Sequence, residues 1–113
     1  MSHAVLRIDA LPEGALDAAC EFHAIWVEHA RRQLLAGDAA LTIVVPPAPY
    51  DHTDWRRATV RDLARAVTPA RVNMIAGDDP AAIASALGYL EGAPGVTGQY
   101  LPLDNEGAGN PAR

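Results

Sequence analysis

Cysteine is nearly absent from this chain. Cys20 is the single one among 113 residues, which excludes an internal disulfide and any multi-cysteine metal cluster. A lone thiol in an apolar stretch is expected to be a small buried hydrophobe. Aromatic residues reach only 5% while half of the chain is apolar, mostly Ala, Leu and Val, so the core must be built from small aliphatic side chains. There is no surplus of positive charge: the net charge is −5, and Arg31-Arg32 and Arg56-Arg57 are isolated pairs rather than a stripe, so no nucleic-acid partner is expected. No apolar run approaches the ~20 residues that span a bilayer, and Met1-Ser2-His3 lacks the charged n-region of a secretory signal, so the expected setting is cytoplasmic, away from membranes. Low-complexity runs are missing as well. The nine prolines and nine glycines are scattered as punctuation, as in one ordered domain over 1–103, and only Asp104 to Arg113 reads as a flexible tail.

What is there alternates between strand and helix. Ala4 to Ile8 is a short apolar run ended by Asp9 and Pro12. From about Glu13 to Leu35, Leu16, Cys20, His23, Val27, Ala30 and Leu34 recur at three- and four-residue spacing, and Gly37 follows as a C-terminal cap would. Ala40 to Val45 is apolar on both faces and stopped by Pro46-Pro47, the pattern of a central strand in a parallel sheet. Thr53 or Asp54 is placed to cap a helix running to about Val67. Arg71 to Ala76 reads as a strand, Asp79-Pro80 as the start of a helix ending before Gly92, and Gly98 to Leu103 as a last strand. The β-α-β-α-β-α-β order calls for a parallel four-stranded sheet in the order 1-2-3-4.

Arg71-Val72-Asn73-Met74-Ile75-Ala76-Gly77 and Val96-Thr97-Gly98-Gln99-Tyr100-Leu101-Pro102-Leu103-Asp104 resemble two stretches of short-chain dehydrogenase/reductases: the sixth strand with its turn, and the entry to the seventh strand. Ala81 to Leu90 between them is similar to the helix before that family's last strand, and Leu41 to Val45 to its fifth strand. The resemblance implies a Rossmann-like, three-layer α/β/α half-domain whose last crossover is left-handed, placing the helix after Pro80 on the face opposite the other helices. It also implies what the chain does not carry. The Gly-rich turn that cradles a dinucleotide has no counterpart, since Gly14 and Gly37 are the only glycines before residue 77. The family's chemistry uses a Tyr assisted by a Lys four residues later and a Ser at a strand end. Here the strand end reads Val45-Pro46-Pro47, and the residue four past Tyr50 is Asp54, whose carboxylate opposes a phenolate. No cofactor is therefore expected, NAD or NADP entering only if a second chain completes the site.

The loop Tyr50, Asp51, His52 and Asp54 lies where an open α/β sheet binds ligands, so Tyr50, His52 and Asp54, with Asn73 and Gly77, are the ligand-binding candidates and Tyr50 the one weak catalytic candidate. Helix capping explains the same letters. His23 and His29 are six apart and do not form a same-face metal pair, so no metal is expected. Phe22, Ile25 and Trp26 widen the apolar arc of the first helix and Trp55 opens the second, which marks these four as oligomer-interface candidates. The first strand would have an unpaired edge, with Arg7 and Asp9 as its gatekeepers. The expectation is a homodimer, or association with another protein, of a non-catalytic module. Two alternatives stand beside it: an oxidoreductase subunit whose cofactor half lies on another chain, and a small-ligand binding domain.

Overall fold

The computed structural model describes residues 3–103, so the expected tail lies outside the described residues. Strands β1 (His3–Arg7), β2 (Ala40–Val45), β3 (Arg71–Ala76) and β4 (Tyr100–Pro102) form one parallel sheet in the order β1-β2-β3-β4. Every residue of β2 is buried, as are five of the six in β3, which is why these two runs are apolar on both faces. Leu41, Ile43 and Val45 pair in register with Val72, Met74 and Ala76. These six side chains join Phe22, Ala30, Val60 and Leu63 in the main core.

The helices fall on two sides. Helices α1 (Ala15–Glu21) and α2 (Val27–Leu35), joined through a π-helical turn (Phe22–Trp26), lie over the main core together with α3 (Thr53–Ala66). Helix α4 (Pro80–Glu91) covers the other face: the Arg71 guanidinium donates to the Ala93 carbonyl just beyond it, at 3.1 Å, and His3 and Val5 of β1 share a groove with Leu87 and Glu91. All strands are parallel and in sequential order, so a helix on the opposite face means a crossover of opposite hand. The first two connections follow the usual right-handed rule and the last is the left-handed one. The result is the three-layer α/β/α, Rossmann-like arrangement expected from the sequence.

The first helix corrects two expectations. Cys20 is exposed rather than buried, and Leu16 is 77% exposed, so the expected stripe fails in its first half, at Leu16, Cys20 and His23, and holds at Val27, Ala30 and Leu34. Ala18, Phe22 and Ala30 are buried, with Trp26 and Leu34 packed against the core, so the inward residues recur every four. A four-residue repeat drifts by roughly 40° per step on an α-helix of 3.6 residues per turn. The π-turn between Phe22 and Trp26 takes up one extra residue and returns the stripe to the sheet.

The expected cap of α3 by Thr53 or Asp54 does not form. A 3-10 turn at Tyr50–His52 runs directly into the helix, so the backbone at Thr53 is already helical and no side chain caps the end. The caps expected at Asp79 and Gly37 do form. Asp79 accepts from the Ala81 N–H ahead of α4, and Gly37 takes a positive φ of 116° just past α2.

Candidate functional site

The carboxyl ends of β1, β2 and β3 open at one edge of the sheet, the edge where open α/β sheets place ligands. Two clefts lie there. The smaller, about 290 Å³, is lined by Ile8, Asp9, Val45, Pro46, Gly77 and Ile83 among others. The larger, about 440 Å³, separates the loop Asp9 to Glu13 from the loop Pro46 to Pro49, with His52 and Arg56 also among its lining residues. Its walls are stiff and mostly apolar, because prolines at 12, 46, 47 and 49 fix the backbone and offer no N–H.

His52 is buried and ties this region together. Its Nε2 lies 3.0 Å from the Glu13 carbonyl, and its Nδ1 accepts from the Trp55 indole N–H at 3.2 Å. Those two bonds require the tautomer with the proton on Nε2. With both nitrogens engaged, His52 is a strut between the β1 loop and α3, and its side chain is among those that line the larger cleft. Trp55 in turn packs on Phe22, ring centroids 5.5 Å apart.

Arg56 is the unexpected member. The guanidinium belongs to a residue only 1% exposed, donates from Nη1 to the Pro46 carbonyl at 2.9 Å and to the Tyr100 hydroxyl at 3.2 Å, and lies over the rings of Trp55 and Tyr100. Among the described residues no carboxylate pairs with it, and its Nε is buried without a partner. Reading Arg56-Arg57 as an isolated charged pair passed over it. The available signal was helical spacing: Arg56 stands four residues before Val60 and seven before Leu63, on the stripe that α3 buries.

The other sequence candidates scatter. Tyr50 is 85% exposed and lines neither cleft, and Asp54 is exposed on the first turn of α3. Asn73 is buried, and its amide is spent on structure: Nδ2 donates to the Val96 carbonyl and Oδ1 accepts from the Gln99 N–H, both at 3.0 Å. It pins the loop into β4. Gly77 lines the smaller cleft, and a Cβ there would come within 3.3 Å of Leu103. Of the interface candidates, Phe22 is fully enclosed and belongs to the core, because the four-residue stripe turns it inward. Trp26 and Trp55 are half-buried against that core, and Ile25 is 45% exposed. Among the described residues no three His, Cys, Asp or Glu side chains gather as a metal-holding group, and no helix is long and apolar enough to cross a membrane.

Neither the curated proteins nor the solved structures gave a match to this chain. A family model does: that of the SDR-like, short chain dehydrogenase-like proteins matches residues 6–103, from β1 through β4. With nearly the whole sheet and all its helices inside the match, the chain belongs to the SDR-like family of short chain dehydrogenase-like proteins.

Proposed function

We propose that this domain is a non-catalytic member of its family that works by association, adding the edge strand β1 of one copy to that of a second. The observation that carries the proposal is the chemistry of that edge. Ile8 N–H donates to the Val44 carbonyl, so the two-residue period of the strand turns Leu6 and Ala4 toward β2 and leaves the backbone N–H and C=O of His3, Val5 and Arg7 facing outward. Val5 is also 36% exposed beside a groove shared with Leu87, which further apolar side chains would fill. An antiparallel pairing across a two-fold axis satisfies both copies with the same surface.

Support for a non-catalytic role comes from the residues where the family's proton chemistry resides. All nine basic residues are arginines, so the chain has no lysine to assist a tyrosine. Pro46 offers no hydroxyl at the strand end, and the Tyr50 side chain is turned to solvent.

Light scattering on the purified chain tests the association. A mass of twice the 11.9 kDa of one chain is expected, and Val5→Pro, which removes an outward N–H and leaves the bonds of β1 to β2 in place, returns a folded monomer. A monomeric wild type at concentrations of roughly 0.1 mM would overturn the proposal. Calorimetric titration with NADH and NADPH is expected to give a flat trace. Saturable binding there would replace the non-catalytic reading with that of an oxidoreductase component.

A further inference from the structure

We propose that the cleft between the β1 and β2 loops is a binding site for a small organic acid, a monocarboxylate with an apolar body, whose charge is met by Arg56. A guanidinium removed from water is costly unless an anion or a full set of acceptors compensates it. Arg56 is 1% exposed and has two neutral oxygens on Nη1, two aromatic rings and an orphaned Nε, with no carboxylate partner among the described residues. That is an incomplete shell for a buried cation, and the missing component is an anion.

The cleft beside it sets the class of that anion. At about 440 Å³ it falls in the size range of small-molecule sites. Its walls, Leu11, Pro12, Pro46, Pro47 and Ala48, take an apolar body. The two carboxylates that line it, Asp9 and Glu13, are exposed at its mouth and repel a second negative charge. A single carboxylate led by its charge toward Arg56, with its hydrocarbon part between the proline loops, satisfies all three features. Such a pair is charge-assisted, and the fork of the guanidinium suits the planar carboxylate. The site does not depend on the β1 edge, so a monomeric chain is equally competent.

The test is a titration of the isotope-labelled full chain followed by NMR, with benzoate as the probe and benzamide and inorganic phosphate as comparators. Expected are saturable shifts at the Trp55 indole N–H and the amides of both loops with benzoate, and at least tenfold weaker binding of benzamide and of phosphate. Ala48→Phe, which fills the cleft and leaves Arg56 in place, should weaken benzoate at least tenfold in a chain whose remaining spectrum is unchanged. Arg56→Met should do the same provided it folds. Equal binding of benzoate and benzamide, phosphate as tight as benzoate, shifts that map away from the cleft, undiminished binding by Ala48→Phe, or no saturable shift up to roughly 50 mM would each overturn the proposal.

Discussion

The two edges of the sheet are built in opposite ways. β4 is three residues long, and side chains of β3 and its own approach loop hold it in place: Thr97 Oγ1 accepts from the Val72 N–H at 3.0 Å, and Asn73 bonds the loop at Val96 and Gln99. Met74 N–H donates to the Gln99 carbonyl and Leu103 N–H to that of Ala76, so Gln99, Leu101 and Leu103 face β3 while Tyr100 and Pro102 face outward. Pro102 has no N–H, so the outer rim of β4 offers a single donor within the strand, at Tyr100. β1 is five residues long, carries no proline and turns three backbone donors outward. One edge offers few donors for strand addition and the other offers three, which is why the proposed association is assigned to β1.

Four substitutions break or sharpen this contrast. The largest effect is expected from Asn73→Ala, which leaves the Val96 carbonyl and the Gln99 N–H without their partner and should cost about 2–4 kcal/mol of unfolding free energy in a urea titration. Gly98→Ala comes next. Gly98 holds a φ of +75°, with Ala64 3.4 Å from where a Cβ would lie, so a loss of about 1–2 kcal/mol is expected from thermal unfolding. Val5→Pro should alter monomer stability by less than about 1 kcal/mol, because the N–H it removes has no partner among the described residues. Its dimer dissociation constant should nonetheless rise at least tenfold by analytical ultracentrifugation. Smallest in stability is Pro102→Val, which restores an outward donor to β4 and should show as higher-order species above the dimer in the same experiment. If Val5→Pro and Pro102→Val leave the mass distribution untouched, the edges do not decide assembly.

The caps at Asp79 and Gly37 were legible from Gly and Pro placement because each depends on neighbours a few residues away, whereas the strand order followed from the alternation of strands and helices and the side on which α4 packs from the family resemblance. The face of the first helix was not legible. A three-and-four template selects Leu16, Cys20 and His23, whereas the inward stripe recurs every four residues, and a π-turn is a property of the tertiary fit rather than of any one residue. The candidate site was read less well. Tyr50 and His52 were grouped by sequence proximity, yet one turns to solvent and the other is locked between Glu13 and Trp55. Arg56 was hidden because its contacts, Pro46 and Tyr100, are supplied from ten and forty-four residues away, a separation no local pattern encodes.

The π-turn also makes the first helix sensitive to length in an unusual way. Removing one residue between Phe22 and Trp26 would let the hydrogen bonds close as an ordinary α-helix, so the helix itself would gain regularity. Phe22 and Ala30 would then be seven residues apart, about 20° short of two full turns, so Ala30 and Leu34 would still meet the sheet, whereas the same deletion in the ordinary α-helical part would rotate everything beyond it by about 100°. The segment is the stretch of the helix where one residue can be removed without turning the inward stripe away from the sheet.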